Sequence, residues 1–542
     1  MTEYKQWLAQ PLEADIREEL LAIEKDDAAI EDRFYRALAF GTGGLRGVIG
    51  AGTNRMNRYT VGRATFGLAD YLLETYKGRA ISVAIAYDSR NKSEYFARVA
   101  AEVLSAKGIT AYVFSELTPT PVLSFAVRYL KAQAGIVITA SHNPKEYNGY
   151  KVYNEHGCQI TDGAAAKITE NINAYGYFTP YTANENNIRI LNDEVKTEFL
   201  KEIKKFSLTK ISAENTPSVV YTPLHGTGMK YVQAILTELG VRDLHIVKEQ
   251  ELPDPTFTTC PYPNPEEKAA LDLALRDAKA HNADLVMATD PDADRIGIAV
   301  KDDQGEYRLL NGNETGCILL YYILSKKKEN GTLGANPTVV KTIVTTDLVF
   351  NMADEYGANV KEVLTGFKYI GEALDQTDNY VFGLEESYGY LVGTHARDKD
   401  AVSAVMMIAE ASAYYKSQGK SLWNVLCEIY ARYGYYGTDL FSISMPGKDG
   451  MENMQAIIRS IRSNPKMTFD GQELVFTDFA CGVDGLPKSD VLRFKNENYR
   501  VLIRPSGTEP KLKIYLQVRA ENETTAKAKL CELKAYVQGF LQ

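Results

Sequence analysis

A chain of 542 residues is too long to close around one core, and its length alone points to roughly three or four domains. Apolar and charged contents of 45% and 24% are those of an ordinary globular protein, and 61 basic against 70 acidic residues leave a net charge of −9. That mild acidity argues against nucleic acid or an anionic membrane surface as partner, so an anionic substrate must be held by a local basic pocket.

Met1 to Leu20 mixes charged and apolar residues at helical spacing without a signal-peptide core, and residues 1–38 read as helical. The longest strongly apolar stretch, Cys317 to Leu324, is far short of a membrane span. Six cysteines are scattered without C-x-x-C spacing, as expected of reduced thiols in a cytoplasmic protein. After the helical segment comes Gly41 to Gly47, G-T-G-G-L-R-G, whose glycines let backbone approach a ligand beside the guanidinium of Arg46.

Ile81 to Tyr87 reads as a strand ending in Asp88-Ser89-Arg90 and passing into a helix. A second strand–helix–strand passage ends with the buried run Gly135 to Ile138 and the loop Thr139 to Pro144, T-A-S-H-N-P. Ser141 thus stands at the carboxyl end of a strand, where open α/β sheets bind ligands. Its hydroxyl needs activation to act as a nucleophile. His142 does not read as a triad base, because neighbours on an extended chain point apart and no G-x-S-x-G turn is present. Asn148 to Tyr153 then forms a turn running into another strand, and the polar stretch 175–215 reads as a domain boundary.

The pattern restarts at Ser218 to Thr222, followed by Pro223 to Gly228 and a helix. Leu285 to Ala288 is a strand ending in Asp290-Pro291-Asp292-Ala293-Asp294-Arg295, and Ile296 to Val300 is the next. Three carboxylates at alternate positions in a tight loop repel one another unless a cation joins them, and an oxygen-only set favours Mg²⁺ or Ca²⁺. An EF-hand fails here, since Arg295 replaces its glycine and Lys301 its final glutamate.

A third restart lies at Val339 to Thr345. Beyond it, Gly383 to Tyr390, G-L-E-E-S-Y-G-Y, offers two acids and a hydroxyl suited to a polyol. His395, Arg397 and Lys399 add local positive charge. Strand, loop and helix recurring in three blocks are expected of parallel α/β domains. From about Phe441 the chain reads as a smaller α+β domain with helices near 451–462 and 523–541. Between two of its strands, Arg504-Pro505-Ser506-Gly507-Thr508-Glu509-Pro510 reads as a phosphate cradle of backbone N–H groups, hydroxyls and a guanidinium.

Read jointly and in order, these motifs resemble those of the α-D-phosphohexomutase superfamily, nearest to its phosphoglucomutases. T-A-S-H-N-P resembles the phosphoserine loop, D-P-D-A-D-R the metal loop, G-L-E-E-S-Y-G-Y the sugar-recognition loop and R-P-S-G-T-E-P the phosphate-binding loop. The resemblance implies three doubly wound α/β domains around a central cleft and a mobile C-terminal α+β domain, divided here as 1–207, 208–310, 311–436 and 437–542. It implies Ser141 as phosphorylated nucleophile, with one Mg²⁺ held by Ser141, Asp290, Asp292 and Asp294. Lys151 falls at a general acid/base position, and Arg46, His142 and Arg295 at other active-site positions. Glu385 and Ser387 match sugar-hydroxyl ligands, and Gly366-Phe367-Lys368 resembles a further substrate loop. With Arg397, Lys399, Arg504, Ser506, Gly507 and Thr508, these make up the expected substrate site.

The implied reaction interconverts glucose 1-phosphate and glucose 6-phosphate, with glucose 1,6-bisphosphate as intermediate and activator. The implied partner is a small sugar phosphate, the protein being a monomer or weak homodimer. Pro291, Ala293 and Leu384 stand where many relatives have glycines, as in the subgroup that includes phosphopentomutases. A phosphopentomutase or phosphomannomutase of the same chemistry, or a silent sugar-phosphate sensor on this scaffold, are the alternatives.

Overall fold

Alternation along the strands decides how the layers form. The computed structural model describes residues 2–41, 43–445, 447–483, 485–505 and 511–541. The helical N-terminus is three short helices, Glu3–Leu8, Ala14–Ala22 and Asp27–Phe34. The first sheet holds β1 (Gly44–Val48), β2 (Ser82–Tyr87), β3 (Thr110–Phe114), β4 (Ala134–Ile138), β5 (Tyr147–Asn154) and β6 (Ile188–Leu191), in the order β1-β5-β4-β2-β3-β6. Along β2, Val83 and Ile85 enter one apolar cluster and Ala84 and Ala86 another. Helices cover both faces of this sheet, so its inner strands read as unbroken apolar runs.

The second sheet holds β7 (Val219–Thr222), β8 (Leu244–Ile246), β9 (Leu285–Thr289), β10 (Ile296–Lys301) and β11 (Tyr307–Leu310), in the order β11-β10-β9-β7-β8. The third holds β12 (Thr338–Thr342), β13 (Asn359–Val363), β14 (Tyr380–Glu385) and β15 (Gly389–Val392), in the order β13-β12-β14-β15. Inner faces of all three meet in one cluster, through which runs the helix Ala401–Lys416, buried on nearly every side.

These sheets are mixed rather than wholly parallel. β4, β9 and β14 each pair in parallel with a neighbour, but the strand that follows each of them, β5, β10 or β15, returns antiparallel. The reason is length: loops 139–146, 290–295 and 386–388 are shorter than the dozen or so residues a parallel crossover needs. Three of the four motifs therefore occupy equivalent places, each at the carboxyl end of a parallel strand just before a reversal.

The C-terminal unit holds β16 (Tyr435–Ser444), β17 (Met467–Phe469), β18 (Gln472–Asp478), β19 (Leu492–Lys495), β20 (Tyr499–Pro505) and β21 (Lys511–Ala520), with helices Gly447–Ser463 and Glu523–Phe540. Its sheet is antiparallel throughout and has its own core. It meets the third sheet through Ile343, Val344 and Leu364 packed on Phe479, Val491, Leu502 and Tyr515. Beside that apolar contact, Asp347 accepts from Arg500 at 2.6 Å, pairs with Lys495 at 2.9 Å and Lys341 at 3.4 Å, and binds Gln517. All six cysteines are free, and no helix among the described residues is long and apolar enough to cross a membrane.

Candidate active site

At the end of β4 the chain turns sharply: Ser141 has φ 53°, in the left-handed region that costs a residue with a Cβ roughly 1–2 kcal/mol. Its N–H donates to Thr139 Oγ1 at 2.8 Å and its hydroxyl to Asp290 Oδ2 at 2.8 Å. The turn also swings His142 inward, so that its Nδ1 lies 3.2 Å from Ser141 Oγ. The expectation that the two side chains diverge assumed an extended backbone, and the positive φ overturns it. Burial, with Arg295 and Arg46 adding to it, drives the imidazole well below its usual pKa, so it is neutral.

Asp290, Asp292 and Asp294 are buried and their carboxylate oxygens converge within 4.8 Å of one another. Asp290 Oδ1 accepts from the backbone N–H groups of Asp294 and Arg295 at 3.1 and 3.0 Å, which curls the loop. Ala293 carries the turn at φ 50°. Gly226, in the loop after β7, is needed where it stands, because a Cβ there would lie 2.4 Å from Pro291 Cα.

Burial, then the charges of Asp292 and Asp294, pushes Asp290 well above the usual carboxylate range; Asp294 is raised by burial and Asp292. Asp292 is also pushed up by burial, but Lys151 outweighs this and holds it below the usual range. Lys151 Nζ and Thr120 Oγ1 both donate to Asp292 Oδ2, each at 2.8 Å. Asp292 Oδ1 and Asp294 Oδ1 are buried without a hydrogen-bond partner among the described residues. Oxygen-only donors, mutual repulsion and two orphaned oxygens fit a hard divalent cation such as Mg²⁺.

Other basic groups surround the trio. Lys399 Nζ lies 3.1 Å from Asp294 Oδ2 and 3.2 Å from Asp398 Oδ1. Burial works against its charge, but Asp294, Asp398 and Glu385 outweigh it and raise its pKa. Arg295 pairs with Glu266 and lies 3.9 Å from Asp294. Arg46 on β1 donates to Asn143 Oδ1 at 3.1 Å.

A bridge between Arg295 and Gly389 joins the aspartate loop to the reversal 386–388. Glu385 closes β14, buried, and accepts from Ser387; burial raises its pKa. Glu386 accepts from Thr342 and Thr345 hydroxyls at 3.2 and 3.4 Å, and burial followed by Glu385 pushes it up to about 7. Leu384 points the other way into the core, where it crowds Gly316, so this departure from a glycine concerns packing.

Lys368 reaches Asp162 at 3.2 Å, and with Arg504 it lines a cavity of about 380 Å³ shared with Gly43, Gln159, Thr365 and Ser489. Three of the chain's units thus meet at one hollow. Ser506, Gly507 and Thr508 lie outside the described residues. Arg397, expected among the substrate ligands, is placed differently: its guanidinium binds Asp375 and the carbonyls of Thr394 and Ala396. His395 likewise pairs with Asp400 in an aromatic nest of Phe199 and Phe206. The turn supplies the acid for His395, Asp400, and the helix Phe367–Asp375 the acid for Arg397, so both basic groups are held within the protein.

Sequence reasoning passed over Thr120, Glu266, Asp398 and Arg90. The only signal was position: Thr120 opens a helix at Thr120-Pro121, and Arg90 follows the end of β2 on the ligand edge of the sheet.

Four family profiles match the chain: phosphoglucomutase/phosphomannomutase alpha/beta/alpha domains I, II and III over residues 37–177, 197–305 and 311–433, and the C-terminal domain over 446–531. A phosphoglucomutase of Staphylococcus haemolyticus is 36% identical over 515 residues, covering 91% of this chain and 92% of its own. Among solved structures, the exocytosis-sensitive phosphoprotein parafusin, a phosphoglucomutase of Paramecium in its open form, superposes with TM-score 0.74 at 19% identity over 93% of this chain and 95% of its own. An Aspergillus fumigatus N-acetylphosphoglucosamine mutase, solved with GlcNAc-6P and magnesium, has the same fold with TM-score 0.53 at 14% identity, over 98% and 100% of the two chains. This chain belongs to the phosphoglucomutase/phosphomannomutase family.

Proposed function

We propose that the protein is a Mg²⁺-dependent phosphoglucomutase that interconverts glucose 1-phosphate and glucose 6-phosphate through a phosphorylated Ser141. One observation carries this reading: the hydroxyl of Ser141 is fixed 2.8 Å from Asp290, a member of the buried trio. Asp290, Asp292, Asp294 and the Ser141 oxygen would hold one Mg²⁺. Bound there, the ion supplies charge to offset that of a phosphoryl group.

The chain's own residues divide the remaining work. Ser141 gives its phosphoryl group to the free hydroxyl of a sugar monophosphate, and the resulting glucose 1,6-bisphosphate turns over before Ser141 takes back the other phosphoryl group. Lys151 carries the proton exchanged at the reacting oxygen. His142, neutral and beside Ser141 Oγ, orients the hydroxyl. Arg46, Arg295 and Lys399 offset the negative charge that accumulates around the transfer. Glu385 and Ser387 bind sugar hydroxyls, while Lys368 and Arg504 grip the far phosphate in the hollow between units. Holding either end of the sugar there lets one site run both half-reactions. Arg397 braces the turn that presents Lys399 rather than touching substrate.

A phosphopentomutase reading is favoured by Pro291, Ala293 and Leu384, which stand where many relatives have glycines, and a phosphomannomutase of the same chemistry is the other rival. Measuring kcat/KM for glucose, mannose and ribose 1-phosphates, with catalytic bisphosphate supplied, decides among them. Preference for glucose 1-phosphate is expected, and a higher kcat/KM for either rival sugar would overturn it.

A further inference from the structure

The loop's own bonds, Ser141 N–H to Thr139 Oγ1 and the Asn143 N–H to the carbonyl of Ala140, leave most of the loop's carbonyls to be satisfied from outside it. One side chain from the loop just past β2 gathers the carbonyls of this one. Arg90 Nη1 donates to Pro144 O at 2.8 Å and Tyr147 O at 3.1 Å, and Nη2 donates to the carbonyls of Ser141 and Asn143. Those four carbonyls belong to the reversal after β4, up to Tyr147, the first residue of β5.

Arg90 is itself fixed before it reaches them. Its side chain is fully buried, and Asp88 Oδ2 lies 3.3 Å from its Nε. Asp88 Oδ1 accepts from the Arg90 N–H at 3.0 Å and from Ser93 Oγ at 2.7 Å. Ser93 in turn accepts from Asn148 Nδ2 at 3.0 Å, which closes the network back onto the far end of the same loop. On the open side the ring of Phe257, from the second unit, covers the guanidinium at 5.0 Å. A planar fork with several fixed donors can serve four acceptors at once, whereas an ammonium on a flexible stem cannot span them.

We propose that Arg90 is a positioning residue for phosphoryl transfer: by gathering the carbonyls of Ser141, Asn143, Pro144 and Tyr147 it sets the left-handed turn that aims the Ser141 hydroxyl at Asp290. The proposal rests on the reading of Ser141 as phosphoryl carrier. Arg90 touches neither substrate nor reacting atoms and acts only through the loop. Because Phe257 seals it from the second unit, the aim of the serine depends on how two units pack, which couples their contact to the chemistry.

The test compares wild type with Arg90→Lys, which keeps the charge and loses the fork. Three quantities are measured: kcat and KM for glucose 1-phosphate, the rate at which Ser141 gains a phosphoryl group from glucose 1,6-bisphosphate by peptide mass spectrometry, and the thermal midpoint. A misplaced nucleophile predicts kcat and phosphoryl uptake falling together by about 10²-fold, with KM changing less than about threefold. A role confined to stability predicts a lower midpoint with kcat and uptake per folded molecule unchanged at low temperature, and that result overturns the proposal. Should Arg90→Lys not fold, Phe257→Leu removes the cover and leaves the fork; it is expected to lower kcat and uptake in the same ratio by a smaller factor, and unchanged rates overturn the proposal. Wild type that turns over without ever carrying phosphate on Ser141 is a different failure: it refutes the carrier itself and this proposal with it.

Discussion

Ser141 Oγ and Asp290 Oδ2 meet at 2.8 Å although 149 positions separate them in the chain. The contact joins the reversal after β4 to the reversal after β9, the equivalent points of two differently connected sheets. A second bond seals the junction: the N–H of Thr120 donates to the carbonyl of Asp292 at 2.9 Å. The site is therefore a property of how the units pack, and each half of it is incomplete alone.

Thr120 supplies a hydroxyl to the same oxygen of Asp292 that Lys151 pairs with, which leaves Oδ1 free for an ion. Outer partners of this kind orient a ligand and tune its affinity. Thr120→Val should weaken Mg²⁺ binding by about 10-fold or more, read as the Mg²⁺ dependence of the thermal midpoint, while leaving the metal-free midpoint nearly unchanged. An unaltered Mg²⁺ titration would show that Asp292 needs no such support.

Asp347 is the anionic centre of the contact between the third sheet and the C-terminal unit. Burial pushes its carboxyl up, but Arg500, Lys341 and Lys495 outweigh that and hold it well below the usual range. Asp347→Asn would leave buried cations without their partner, a loss of roughly 3–5 kcal/mol at such sites. The C-terminal unit should loosen first, seen as faster proteolytic cleavage near residues 434–445 and a lower kcat with Ser141 phosphorylation intact. Equal cleavage rates in wild type and variant would contradict the role given to Asp347.

Much of this was legible in the sequence, and for an identifiable reason. Each functional loop follows an apolar run and carries its polar residues consecutively, so Ser141, the three aspartates and Glu385 stand out locally. The antiparallel returns after β4, β9 and β14 were not legible, since the repeated strand–loop–helix order suggested parallel sheets. Arg90, Thr120 and Glu266 were not, because each matters through a partner supplied by a different strand or unit. The partner of Arg397 was not legible for the same reason, since its acid, Asp375, lies 22 positions away. The convergence of His142 on Ser141 depended on a backbone angle that composition does not announce.

Glu386 gives a pH signature. Its pKa of about 7 in the folded protein exceeds the 4.5 of an ordinary glutamate, so the folded state binds more protons between those values. The stability it contributes is full below about pH 4.5 and is lost as pH rises through about 7, a difference of at most about 3 kcal/mol. Glu386→Gln should flatten the pH dependence of the thermal midpoint across that window. An identical slope in the variant would place the titrating group elsewhere.

The central claim is that Ser141 stores the phosphoryl group between turnovers. Incubating wild type and Ser141→Ala with glucose 1,6-bisphosphate and Mg²⁺, then mapping phosphate by peptide mass spectrometry alongside a coupled mutase assay, tests it most directly. The account predicts phosphate on the Ser141 peptide of wild type only, and no mutase turnover in the variant. Turnover retained by Ser141→Ala, or phosphate carried on another residue during turnover, would contradict it.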